Sequence, residues 1–162
     1  MLKTGIKTSP YNPASMSLVP VVSIYTDWCC KWNPWKGWWG FVVLENWKQV
    51  FALHWWDNQT TNNRMELTAI IQALIYCEYN HIESPKIVTD SKFSIKVCTA
   101  WLWLWLKEKR IEEMKNPDLS RELIPLLNSV KPKFAWVKWH SWNYWNEYAD
   151  ELSNQYALCS PK

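Results

Sequence analysis

Apolar positions along the chain change their period several times, and each change marks an element. From Val21 the run VVSIYTD is β-branched and aromatic and ends on an acid, Asp27, which reads as a buried strand. FVVLE (residues 41–45) and KQVFALH (residues 48–54) alternate and are joined by Asn46-Trp47, the layout of a hairpin. After the polar stretch DNQTTNN, residues 64–80 carry helical spacing. Leu67, Ile70, Ile71, Leu74 and Ile75 fall on one face, with Thr61 or Asn62 as cap. Lys86 to Thr89 is a short strand running into Asp90, and helical patterning resumes from Ser91 to about Met114. A break at Asn116-Pro117 precedes a shorter helix near Leu119 to Ser129. FAWVKWH is a fifth strand, and a last helix over 146–158 turns Ala149, Leu152 and Tyr156 inward. Three strands, a helix, a strand, helices, a strand and a helix predict an α/β layer fold whose mixed sheet begins as a meander.

Length and charge narrow the classes. A chain of 162 residues suits a single domain. Residues 1–20, rich in Pro, Ser and Thr, read as a loose arm; 21–158 form the domain and 159–162 a tail. A net charge of +3 is mild, and no apolar run approaches the ~20 residues a membrane helix needs. The amino terminus lacks the layout of a secretory signal, and five cysteines without repeating spacing fit reduced thiols. A cytoplasmic monomer without membrane contact is expected.

One pair of counts is abnormal: fifteen Trp stand against three Gly, where average usage predicts roughly eleven Gly. Asn46-Trp47 occupies a two-residue turn that wants Asn-Gly. Trp55-Trp56 occupies a place suited to paired glycines, and Trp28, Trp32, Trp35 and Trp38 crowd an expected loop beside Pro34 and Gly37. With Trp139, Trp142 and Trp145 these make ten positions at which glycine would give an ordinary composition of five Trp and thirteen Gly. A stop-type codon read as glycine in the source organism would account for them; the alternative is a Trp-rich surface for sugars or a membrane interface. Trp39, Trp101, Trp105 and Trp136 sit in apolar patterns and read as core aromatics, while Trp103 is unassigned.

Three acids stand out by position. Asp27 ends the first strand, Asp90 ends the fourth, and Glu66 is expected in the first turn of the first long helix. Strand ends and helix starts at one edge of an α/β sheet converge, so these carboxylates would gather. Gathered carboxylates raise one another's pKa unless a cation neutralises them, and hard oxygen ligands select Mg²⁺ or Mn²⁺. Asp150 opens the last helix, and His140 lies in the polar loop before it.

Taken in order, Tyr25-Thr26-Asp27, Asn33-Pro34, Thr60 through Leu67 (TTNNRMEL), Thr89-Asp90-Ser91, Val137 through Ser141, Asn146-Glu147 and Ala149 through Leu152 resemble ribonuclease H of the type I class over residues 21–158. The resemblance implies a ribonuclease H-like fold: a five-stranded mixed sheet, three antiparallel strands then two parallel, flanked by helices. It implies an endonuclease cutting the RNA strand of an RNA–DNA hybrid by two-metal-ion catalysis. Two Mg²⁺, with Mn²⁺ as an alternative, would sit on Asp27, Glu66, Asp90 and Asp150, with His140 assisting proton transfer or product release. The family's Asp-Gly-Ser is Asp27-Trp28-Cys29 here, and its Lys-Gly-His-Ser-Gly is Lys138-Trp139-His140-Ser141-Trp142, so its glycines fall on suspected tryptophans. For the substrate, the resemblance places Cys30, Asn33, Asn62 and Asn63 near the hybrid's minor groove, and Thr61 and Arg64 near a DNA phosphate. Lys92 is a further phosphate or sugar contact, and Asn146 supports the loop. Lys107, Lys109 and Arg110 resemble a basic protrusion, but the interspersed Glu108, Glu112 and Glu113 favour a solvated helical face. A hybrid-binding module without turnover is the alternative; concentrated acids beside phosphates argue against it.

Overall fold

The computed structural model describes residues 21–30, 35–138 and 144–159, leaving out the side chains of Cys30, Trp35 and residues 155–159. Five strands form one sheet in the order β3-β2-β1-β4-β5. Strand β1 (Val22–Cys30) pairs antiparallel with β2 (Trp35–Glu45), which pairs antiparallel with β3 (Lys48–Thr60). On its other side β1 runs parallel to β4 (Lys86–Thr89), and β4 parallel to β5 (Lys133–Trp136). The helices are α1 (Asn62–Tyr79), α2 (Lys92–Lys96), α3 (Leu102–Lys107), α4 (Pro117–Val130) and α5 (Tyr144–Cys159). This is the ribonuclease H-like α/β architecture that the resemblance implies, three antiparallel strands followed by two parallel ones. No helix among the described residues is long and apolar enough to cross a membrane.

The period of two along each strand sorts side chains into two cores. Ile24, Phe41 and Val43 point to one face, where they meet Ile70, Ile71 and Leu74 of α1 and Leu123 of α4. Tyr25, Val42, Leu44 and Val88 point to the other and meet Ala149 and Leu152 of α5. Each fully buried aliphatic or Phe side chain stabilises the fold by ~1.5–3 kcal/mol relative to exposure. Gly40 lies opposite Asp27 in the β1–β2 ladder, and a Cβ there would sit 3.4 Å from the Ala149 carbonyl oxygen. Bare backbone at Gly40 thus lets α5 lie close to the sheet where Asp27 stands. Cys77 and Cys98 are buried, and burial pushes both thiols up to about 12.

Several expectations are corrected. The strand ending at Asp27 continues to Cys30, because the ladder carries on through Trp28↔Trp39, Cys29↔Trp38 and Cys30↔Gly37. Trp28, Trp35 and Trp38 therefore lie on strands, not in a loop; aromatic side chains suit a pleated surface. Residues 57–60 extend β3 rather than forming a polar loop. Helical structure from Ser91 does not reach Met114: a π-helical turn, Val97–Trp101, joins α2 to α3, which ends at Lys107, and a short 3-10 turn covers Ile111–Glu113. The FAWVKWH strand stops at Trp136. Ile75, Trp101 and Trp136 are 38%, 41% and 46% exposed, so none is core, whereas Trp39 is buried against Phe41. After Lys107 the chain turns at residues 108–109 into the 3-10 turn, with Arg110 bonded to Glu108 and Glu113, so no continuous helical face runs through 107–113.

Candidate active site

Four elements carry the four acids. Asp27 lies in β1, Glu66 in α1, Asp90 directly after β4, and Asp150 in α5. Alternation puts Asp27 on the α5 face with Tyr25, and the next residue, Trp28, packs against the α1 core. Glu66 is the fifth residue of α1, so the expected first-turn placement is wrong by one residue; the helix starts at Asn62 with Thr61 as its cap.

Asp27 is 4% exposed, and its Oδ2 is buried with no hydrogen-bond partner, while Oδ1 accepts from the Trp28 backbone N–H at 2.6 Å. Burial holds its pKa well above the ordinary carboxylate value, and the negative charges of Asp90, Asp150 and Glu66 add to the rise against the Trp28 N–H. An unpaired buried carboxylate oxygen is costly, and the cost invites a cation or a proton. Glu66 is also raised, chiefly by burial. Its Oε2 accepts from the hydroxyls of Ser91 and, at 3.1 Å, Ser94; the Trp28 side chain bonds to the same carboxylate. The Trp136 indole N–H donates to the Asp90 carbonyl oxygen at 2.9 Å. Asn154 donates to both the carbonyl oxygen and the Oδ1 of Asp150, at 2.9 and 2.7 Å.

The donor set is all carboxylate, and the field of three neighbours on Asp27 is the environment a divalent cation relieves, so Mg²⁺ or Mn²⁺ fits these residues. As they stand, no group of three His, Cys, Asp or Glu among the described residues is drawn tightly enough to hold an ion. The two serines and Trp28 hold the Glu66 carboxylate.

The other residues expected at a site divide. Thr61 caps α1 by accepting from the Arg64 backbone N–H at 3.4 Å. Asn62 and Asn63 open that helix, and the Asn62 Oδ1 is buried without a hydrogen-bond partner. The Arg64 guanidinium is gripped by both carboxylate oxygens of Asp118 at 2.6 and 3.0 Å and approaches the Asn116 Oδ1 at 3.4 Å. Lys92 is exposed, its Nζ 4.3 Å from the centre of the Trp136 ring. Asn146 is 2% exposed, one turn before Asp150 on α5. Cys30 ends β1 opposite Gly37, with its side chain outside the described residues, as are Asn33 and His140. Sequence reading missed the serine clamp on Glu66, although Ser91 and Ser94 at a helix start are spaced as a capping pair. It also missed Asp118 and Trp136, for which distance along the chain left no signal.

Sheet order and helix placement, with Asp27 in the field of Asp90, Asp150 and Glu66, define the class of fold and the candidate site. The profile of the RNase H family matches residues 20–157, and the chain belongs to that family. The ribonuclease H of Polynucleobacter asymbioticus is 38% identical over 140 residues, covering 84% of this chain and 89% of that one. The ribonuclease H of Nitrosospira multiformis is 38% identical over 147 residues, covering 85% and 90%. Among solved structures, the RNase H1 of the archaeon Halobacterium salinarum superposes with a TM-score of 0.67 at 24% identity, covering 86% of this chain and 98% of that one. LC11-RNase H1, solved in complex with an RNA/DNA hybrid, superposes at 0.63 with 20% identity, covering 86% and 99%.

Proposed function

We propose that the protein hydrolyses the RNA strand of RNA–DNA hybrids, with divalent cations held by Asp27, Glu66, Asp90 and Asp150. The carrying observation is Asp27: a buried carboxylate with an unpaired oxygen, set in the field of three other acids. A protein that only bound nucleic acid would gain nothing from negative charge concentrated there. Magnesium ions, when bound, supply activation of the attacking water and stabilisation of the leaving 3′ oxygen. The chain's own residues then have separable tasks. Ser91 and Ser94 fix the Glu66 carboxylate, and Trp136 fixes the Asp90 peptide. Asn62 and Asn63, at the start of α1, take the minor groove, where a 2′-hydroxyl distinguishes RNA from DNA. Lys92, stacked on Trp136, and Thr61 take backbone phosphates or sugars. The Asp118 grip fixes the Arg64 guanidinium, whose remaining N–H groups take a DNA phosphate. Cys30, Asn33, Asn146 and a proton-shuttling His140 complete the reading, in a monomer acting in the cytoplasm.

Cleavage of labelled hybrid with Mg²⁺ tests it, with EDTA and the variants Asp27→Asn and Asp90→Asn as controls. Each variant is expected to lose more than the ~10²-fold typical of removing a hydrogen-bond partner of a metal ligand. Cleavage retained in both variants sinks the metal assignment, and tight hybrid binding without any cleavage gives the non-catalytic module instead.

A further inference from the structure

Fifteen tryptophans and three glycines remain unexplained by nuclease chemistry. The structure describes the side chains of eleven of the tryptophans, and these differ in how an indole is accommodated. Trp39, Trp101, Trp103, Trp105 and Trp136 have partners that use an indole. Trp39 stacks on Phe41 at 6.3 Å, and Trp101 meets Phe93 edge-on at 6.0 Å. Trp103, unassigned by sequence, donates its indole N–H to the Cys98 carbonyl oxygen at 3.0 Å and packs on the core. Trp105 lies under the Arg110 guanidinium at 4.8 Å, and Trp136 binds Asp90 and Lys92.

At some of the other described positions an indole is strained or gains little. Trp47 has φ 69° and Asn46 φ 49°, both in the left-handed region, in the two-residue link between the paired Glu45 and Lys48. That turn calls for Asn-Gly, because a Cβ at the second position is strained whatever surrounds it. No glycine of the described chain occupies a positive φ, so the one residue type suited to that region is missing from it. The Trp47 ring is 69% exposed and gains little from burial. Trp55 and Trp56 are 63% and 44% exposed on the edge strand β3, with the Lys36 Nζ 6.0 Å from the Trp56 ring centre. Trp28 directly follows Asp27, and its side chain occupies Glu66, a carboxylate that the proposed metal site needs. Trp38 and Trp145 are accommodated: Trp38 is 4% exposed, and Trp145 packs edge-on against Tyr144 and Tyr148.

We propose that the functional protein carries glycine at 28, 32, 35, 38, 47, 55, 56, 139, 142 and 145, inserted at a stop-type codon that its source organism reads as glycine. Tryptophan stands only at 39, 101, 103, 105 and 136. The structural weight falls on 28, 47, 55 and 56; the remaining six are positions where the sequence pattern or the family resemblance calls for glycine. The consequence for the site rests on the nuclease reading. Glycine at 28 leaves Glu66 to Ser91, Ser94 and a cation, and leaves bare backbone beside Asp27 where a phosphodiester must approach.

Peptide mass mapping of the protein purified from its own source organism tests the inference independently of any activity. Glycine is expected at the mapped positions of the set, with one codon at all ten in the gene and a different codon at the other five. Tryptophan at 28 or 47, or the same codon at all fifteen, overturns it. In a host using the standard code, Trp47→Gly alone is expected to raise Tm by about 2–6 °C, the release of one left-handed non-glycine residue in a chain of this size. An unchanged or lower Tm contradicts the strain argument. The ten-glycine chain is expected to cleave hybrid faster than the tryptophan chain, and equal rates contradict the account of position 28. If glycine is found by mass yet the ten-glycine chain leaves hybrid intact, the decoding stands and the nuclease reading falls.

Discussion

Asp27 shows how one residue sets stability against chemistry. Its folded pKa lies well above the ordinary 3.8, with burial as the main cause. A raised carboxylate means that the native state holds its proton after the unfolded chain has released it. Between 3.8 and the raised value the folded form therefore binds more protons, and stability falls as pH climbs through that window. Below the window the contribution is fully present; above it the charged side chain is a standing cost that a cation relieves. Asp27→Asn removes the titration. In EDTA at neutral pH this variant is expected to unfold at higher temperature than the parent, with a flatter dependence of Tm on pH. Added Mg²⁺ is expected to raise the parent's Tm and not the variant's. An Asn variant less stable than the parent in EDTA would show that Asp27 is not electrostatically burdened.

At the level of elements, glycine governs how closely strands and helices approach. A Cβ on Gly37 would lie 2.5 Å from Thr60 Cγ2 and 2.7 Å from Met65 Cγ. The Met65 tail can swing away, but Thr60 is β-branched, buried and one residue from the cap of α1, so it cannot. Gly37→Ala is expected to cost ~1–3 kcal/mol by overpacking, read as a lower urea midpoint at unchanged m value. The sequence made the long elements legible because their patterns are strong: Leu67, Ile70, Ile71 and Leu74 repeat on one face of α1, and β2 and β3 alternate on either side of Asn46-Trp47. It misplaced what depends on tertiary partners. β1 outruns Asp27 because β2 offers a ladder to Cys30, and the helix after Ser91 breaks into a π turn near buried Val97 and Cys98. The four acids were legible as candidates, but only Asp90 stands at a strand end: Asp27 lies within β1, and Glu66 and Asp150 sit beyond the first turns of α1 and α5, where Asp150 was expected to open its helix. Their supports were not, because Ser94 reaches Glu66 across 28 residues of chain and Trp136 reaches Asp90 across 46.

Over the whole molecule, two sulfur atoms mark how the fold opens. Cys77 lies near the end of α1 and Cys98 in the π turn, and both belong to the larger core. With the thiols held near 12, almost no thiolate exists at neutral pH, so alkylation must wait for the core to part. Peptide-resolved labelling by iodoacetamide is expected to find both sites protected in the native state and to modify them at matching rates as urea rises. Faster labelling at Cys98 would mean that the α2–α3 segment detaches before the sheet does. The buried sulfurs thus act as a pair of built-in clocks, and whether they keep the same time reports whether this enzyme breathes as one body or in sections.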